Sequence, residues 1–290
     1  MELHSLRVFL TVASEKSFSR AAQKLLRTQP AISLSIQRLE ADLGERLIDR
    51  LSKDLALTDA GAIVYEYARR FENLQGDLEI ALAELRDKSA GRLSIGANES
   101  STLYLLDHIE RFRARYPKIR VQVRRSQSSR IPTALLDGEL ELGILTYDPE
   151  DERLISKVIY TDHLSFVVSP KHRLAGKTKV SIGELGSETF IAHNVVSPYR
   201  GLVLKAFQDH KVPLKMDLEM PTIEAIRKLV ERNDGVAFLP RMCVEDEIRL
   251  GLLHEVKVKE MTMERKIRLV YPARRAVSHA AQAFLEVVGG

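Results

Sequence analysis

The sequence predicts an α/β protein headed by a mostly helical N-terminal domain, and three observations carry that prediction. Two short apolar stripes at helical spacing, parted by a polar break, lie within residues 17–44. A regular heptad seam occupies residues 64–85. From residue 93 onward, short aliphatic runs alternate with helical stretches, the pattern of a parallel α/β sheet.

At the first helix, Leu6, Phe9, Leu10 and Ala13 form an i, i+3, i+4, i+7 stripe able to close a small core with the next two helices. Phe18, Ala21, Ala22 and Leu25 line the second helix, and Arg27 and Thr28 break it. Thr28 has the hydroxyl an N-cap needs, and Pro30 sits in the first turn, where its missing N–H costs nothing. Ile32, Ile36, Leu39 and Leu43 then make a stripe only about 60° wide, leaving Pro30, Leu34, Gln37, Arg38 and Ala41 to face outward. A tight two-helix unit with a narrow core stripe and a polar outer face is the helix-turn-helix that fits a DNA major groove. An ordinary helical hairpin has the same periodicity.

Leu47 with Ile48, and Leu55 through Leu57, read as two short strands turning at Ser52, Lys53 and Asp54. Such a wing would bring Arg50 and Lys53 to the DNA backbone or the adjacent minor groove. Thr58 can cap the next helix, whose Val64, Tyr67, Phe71, Leu74, Leu78, Ala81 and Leu85 alternate steps of three and four. About thirty residues at 1.5 Å each give a rod of about 45 Å, and its seam predicts pairing with a second copy.

Ser89 to Arg92, with Ala90 and Gly91, reads as a hinge. Beyond it the predicted order is strand 93–96, helix 101–116 stopped by Pro117, strand 119–123, helix 132–137 and strand 140–145. A second set follows: strands 164–168 and 190–192, helices 201–210 and 223–232, strand 236–239, helix 244–249, strand 267–271 and helix 278–288.

The run SFSRAAQKLLRTQPAISLSIQRLEADLG over 17–44, with LIDR at 47–50 and LTDAG at 57–61, resembles the LysR-type transcriptional regulators. The resemblance is dense through the first sixty or so residues and weaker to the C-terminus. It implies a winged helix-turn-helix, a long coiled-coil linker helix and a two-lobed, periplasmic-binding-protein-like α/β effector domain. The expected domains are 1–58 for DNA, 59–91 for dimerisation and hinge, and 92–290 for the effector. Lobe 1 would take about 92–161 and 266–290 and lobe 2 about 162–265, with crossings near Thr161 and Arg265. The DNA-contacting residues implied are Thr28, Gln29, Pro30, Ser33, Leu34, Gln37, Arg38, Arg50 and Lys53. The partners implied are double-stranded promoter DNA, a second copy in a homodimer or homotetramer, and a small-molecule effector. Position 34 departs from the basic or polar residue frequent in the family, and we expect Leu34 to meet a thymine methyl. The segment TLYLLDHIERF after Ser101 also lacks the family's frequent proline.

Ligands in open α/β sheets sit at strand carboxyl ends beside helix N-termini. Ser100, Ser101 and Thr102, then Ser197, Tyr199 and Arg200, then Thr222 after Pro221, hold such places. Ser128, Ser129, Thr146 and Tyr147 rank second. Hydroxyls with one guanidinium suit a small carboxylate or phosphate. Taken singly, each hydroxyl is better explained by capping, and it is the set converging on one cleft, together with the family resemblance, that favours a ligand.

Composition narrows the remaining classes. The 290 residues, 44% apolar and 29% charged, suffice for two or three domains. No apolar run approaches the roughly 18 residues that span a bilayer, and MELHSLRVF has no basic segment leading into an apolar one, so we expect a cytoplasmic protein without membrane association. Cys243 is the single cysteine, which excludes an internal disulfide and a thiolate metal cluster. The net charge of +4 is only mildly basic, and residues 1–58 hold nine Lys or Arg against seven Asp or Glu. DNA affinity must then come from placement and from more than one copy. No HExxH, GxSxG or GxGxxG occurs, and Gly176, Lys177 and Thr178 lack the glycine that a phosphate loop needs at Lys171. His163, His172 and His193 show no metal spacing. Neither a cofactor, a metal nor catalysis is expected. The competing readings are a DNA-binding regulator without effector response, and a small-molecule-binding protein or enzyme whose N-terminal helices are structural.

Overall fold

The computed structural model describes residues 2–49, 55–86, 91–195, 197–274 and 277–289. Arg50, Lys53, the rest of the wing's turn, and Ser89 and Ala90 of the expected hinge lie outside those residues, as do the side chains of Ala81 and Leu85. The chain divides into two compact units, Met1–Lys88 with Asp137–Glu139, and Ser89–Leu136 with Leu140–Gly290.

In the first unit, α1 (Leu3–Glu15), α2 (Phe18–Lys24) and α3 (Gln29–Leu43) enclose a core of Leu6, Phe9, Ala21, Ile32, Ile36 and Leu39. Ser17 caps α2 by accepting from Arg20 N, and Thr28 caps α3 by accepting from Ala31 N. β1 (Ile48–Asp49) and β2 (Ala56–Leu57) pair antiparallel, each within a residue of its expected place. α4 (Asp59–Arg86) follows directly, with Thr58 Oγ1 accepting from Gly61 N at 2.9 Å. Tyr67, Phe71, Leu74 and Leu78 are exposed along α4, as are Ile63 and Leu82. Val64, expected in the pairing seam, instead packs against the three-helix core because the first turns of α4 lie on it.

In the second unit, β3 (Gly91–Ala97) is followed by α5 (Glu99–Arg115), β4 (Ile119–Arg125), α6 (Ile131–Leu136) and β5 (Leu142–Leu145). β6 (Leu154–Val168) runs for 15 residues, then come β7 (Lys179–Val180), β8 (Thr189–His193), α7 (Pro198–Asp209) and β9 (Lys215–Met220). α8 (Ile223–Glu231), β10 (Ala237–Pro240), α9 (Glu245–Arg249), β11 (His254–Glu255), β12 (Lys257–Val258), β13 (Glu264–Pro272) and α10 (His279–Gly289) complete it.

The main sheet has the order β10-β6-β13-β5-β3-β4, with β11 also on β6. It is mixed, where strand and helix alternation predicted a parallel one. β3 is parallel to β4 and β5, but β13 is antiparallel to β5 and β6. The reason is that the chain leaves the first set of elements along β6 and returns along β13, so the return strand must run the other way. The first ten residues of β6 pair with β13, and its last five with β10 and β11. One core, on Leu93, Ile95, Phe112 and Phe284, serves the first half of this unit. Another, on Phe166, Phe190, Val203 and Phe207, serves the second. We call these halves lobe 1 and lobe 2.

Candidate DNA-binding and effector-binding sites

The buried stripe of α3 leaves Thr28, Gln29, Pro30, Leu34, Gln37 and Arg38 exposed and Ser33 half-buried. The cap at Thr28 starts the helix there, which places the amide of Gln29 and the first turn at the end of the turn from α2. That turn is tight enough to force Leu26 to φ +53°, with its side chain 92% exposed. Behind this face, Glu40 Oε1 accepts from Leu47 N at 2.9 Å and Ile48 N at 3.3 Å, tying the start of the wing to α3. Gly61 closes the same corner. A Cβ there would stand 2.0 Å from the Leu47 carbonyl oxygen. Only glycine lets α4 pass so close to the wing.

In the second unit, the predicted effector residues fall into two groups. Ser197 and Thr222 cap α7 and α8, accepting from Arg200 N and Ala225 N at 3.2 Å each. Ser101 is fully buried and forms a capping box with Asn98, and Thr102 Oγ1 donates to the Asn98 carbonyl at 2.8 Å. Helix α5 therefore opens two residues earlier than expected, because Asn98, overlooked in the sequence, is its cap. Arg200, expected to grip an anion, donates to the His193 carbonyl at 3.2 Å and pairs with Glu219. Ser128 Oγ accepts from Asn98 Nδ2 at 2.8 Å, and Ser129 is exposed beside it.

The other group converges from both lobes. Tyr199 of lobe 2 donates its hydroxyl to the Thr146 carbonyl of lobe 1 at 2.6 Å, and burial raises that phenol above its ordinary pKa, keeping it a donor. The ring of Tyr199 lies 5.2 Å beneath the guanidinium of Arg265. Arg265 donates to Asp162 Oδ2 at 2.8 Å and to Ser100 Oγ at 3.0 Å. Asp162 and Arg265 are direct partners across β6 and β13, the two strands that join the lobes, and both are 3% exposed. Met242 N adds a bond to Asp162 Oδ1 at 3.3 Å. The guanidinium of this buried cluster is thus Arg265, a residue that sequence reasoning placed only near a crossing. Nearby Cys243 is buried, and its thiol is pushed up to about 12 by desolvation. It is a packed hydrophobe rather than a nucleophile.

An exposed, capped helix with a wing, and a buried polar cluster on the strands between two lobes, are the parts of a regulator that couples DNA to a small molecule. Comparison with known families decides the matter. Residues 3–62 match the family model "Bacterial regulatory helix-turn-helix protein, lysR family", and residues 86–290 match "LysR substrate binding domain". The chain belongs to the LysR family of transcriptional regulators. This LysR-type regulator is 30% identical over 289 residues to a protein of Gracilaria tenuistipitata var. liui named "Probable RuBisCO transcriptional regulator", covering 97% of the chain and 94% of that relative. It shares the fold of full-length CbnR, solved in complex with its target DNA, at 21% identity and a TM-score of 0.76, covering 100% of this chain and 99% of that one. The Synechocystis PCC6803 CcmR regulatory domain, solved in complex with 2-PG, aligns at 24% identity and a TM-score of 0.62 over 68% of this chain and 95% of that one. The family is one of transcriptional regulators, not of enzymes. Among the described residues, no helix is long and apolar enough to cross a membrane and no cluster could hold a metal ion.

Proposed function

We propose that this LysR-type regulator acts in the cytoplasm as a homodimer or homotetramer that reads a promoter site through the outer face of α3. A small anionic effector held between its lobes sets the outcome. The division of labour is 1–58 for DNA, 59–91 for pairing and hinge, and 92–290 for the effector. Gln29, Gln37 and Arg38 supply donors and acceptors to base edges, Leu34 meets a thymine methyl, and Arg50 and Lys53 contact phosphates from the wing. Tyr67, Phe71, Leu74, Leu78 and Leu85 pair with the second copy.

One observation carries the effector reading: Ser100, Thr146 and Tyr199, singled out separately as ligand contacts, meet around Arg265 at the strands joining the lobes. A ligand touching both lobes there favours one lobe angle over another, which is what coupling to DNA requires. Footprinting of the intact protein on its promoter, with and without a panel of small carboxylates and phosphates, tests this. The panel includes 2-PG, the ligand of the CcmR regulatory domain structure. The expected result is a protected region whose extent changes with one compound. The same compound raises the melting temperature, since a ligand at a hundred times its Kd stabilises by about 2.7 kcal/mol. An identical footprint and melting curve with every compound overturns the effector reading and leaves a DNA-binding regulator without one.

A further inference from the structure

Glu99 lies outside the predicted effector set, yet it spans the cleft. It is the first residue of α5 in lobe 1, and its Oε1 accepts from Ile223 N, the first amide of α8 in lobe 2, at 2.8 Å. Its Oε2 stands 3.4 Å from Nε2 of His193, at the end of β8, and 3.4 Å from Nη2 of Arg125. The start of a nine-residue helix favours an acid group through its free amides and partial positive charge. Here the protein supplies that acid itself.

A second observation, independent of α8, points to a ligand in the same cleft. The Arg265 side chain is 4% exposed, yet its Nε has no partner among the described residues. A buried donor of a charged group left unpaired forfeits its hydration with nothing in return, so such a group calls for a partner. Of the guanidinium groups near Glu99, Arg265 is matched by Asp162 and Arg200 by Glu219, and the third, Arg125, pairs with Glu99 itself. An incoming acid would therefore meet Glu99 as an added negative charge, and would compete with it for the amide of Ile223.

We propose that Glu99 is a built-in clasp: it holds the place of the effector's acid group on α8, fastens lobe 2 to lobe 1 when effector is absent, and is displaced when effector binds. This rests on the reading of the cleft as an effector site. A tethered competitor acts at an effective concentration in the millimolar range, so it sets a threshold below which an anion produces no response. If the clasp is closed in about nine molecules of ten, apparent affinity for an anion falls about tenfold. Glu99 is in this sense the residue that sets effector sensitivity.

The test compares the full-length protein with Glu99→Ala and Glu99→Gln, using inorganic phosphate as probe in calorimetric and thermal-shift titrations. The alanine variant is expected to bind phosphate at least about tenfold more tightly than wild type. Glutamine keeps an acceptor for the Ile223 amide but loses the charge, so its affinity falls between the two. Equal or weaker phosphate affinity in both variants, including no measurable binding by any of the three proteins, overturns the clasp. If the alanine variant fails to fold, the glutamine variant decides on the same criterion. Failure of the effector reading itself shows separately, as a wild-type footprint that no compound changes.

Discussion

Arg265 and Asp162 are charges that water would solvate far better than a protein interior, and they persist between the lobes only because each satisfies the other. Removing one partner strands the second. Asp162→Ala should lower the stability of the effector module by about 3–5 kcal/mol, seen as a lower urea midpoint at unchanged slope. Asp162→Leu with Arg265→Met should recover most of that loss while abolishing any effector response. A double variant that stays responsive would remove Arg265 from the site. Leu26 presents the opposite case, a residue under strain with little to gain. At φ +53° it costs on the order of 1–2 kcal/mol more than glycine would, and its exposed side chain returns little. Leu26→Gly should stabilise the N-terminal unit by about 0.5–1 kcal/mol after the entropy cost of glycine, seen as a higher melting temperature. Cys243, with its thiol pushed up to about 12, should resist iodoacetamide at pH 8 in the native protein and react once the chain is unfolded. Rapid labelling of the native protein would show that lobe 2 opens around it.

The corner between the wing and α4 depends on Gly61. In Gly61→Ala the new methyl would have to displace the Leu47 backbone, and Leu47 N and Ile48 N would lose their alignment with Glu40. The expected outcome is a loss of about 2–4 kcal/mol in the N-terminal unit and weaker promoter binding. Effector-dependent stabilisation of the second unit would be unchanged, and the two melting transitions measured separately would check this. This corner also shows what the sequence made legible. Local chemistry was readable: Thr28, Thr58, Ser197 and Thr222 all cap the helices they precede. Long-range pairing was not. Among the described strands the first ten residues of β6 pair with β13 alone, Val158 and Tyr160 are exposed, and no clean alternation marks the strand. β9, KMDLEM, is rich in poor strand formers and is a strand because β8 lies parallel to it. Asp162 and Arg265 lie 103 residues apart, and only the register of β6 on β13 brings them together. The candidate site was therefore half visible, its hydroxyls at helix starts, Arg265 only as the place of a crossing and Asp162 not at all.

For the whole molecule, the question is how a chain of net charge +4 holds DNA against physiological salt. Few basic residues lie in the first 58, so one copy neutralises few phosphates. The exposed face of α4, with Tyr67, Phe71, Leu74 and Leu78 in water, is unstable as a lone surface of that size and points to pairing. Pairing doubles the number of phosphates contacted, and the logarithm of affinity falls with the logarithm of salt at about 0.9 per contact. Leu74→Asp with Leu78→Asp places two like charges opposite two more in any paired seam. The variant should sediment as a monomer at micromolar concentration and keep the folded N-terminal unit, because neither residue belongs to the three-helix core. Its salt slope on promoter DNA should be about half that of wild type, and its preference for the promoter over unrelated duplex should collapse, since one α3 reads only one half-site. A variant that remains dimeric, or a monomer with the full salt slope, would mean that α4 is not the element that brings the recognition helices to DNA in pairs.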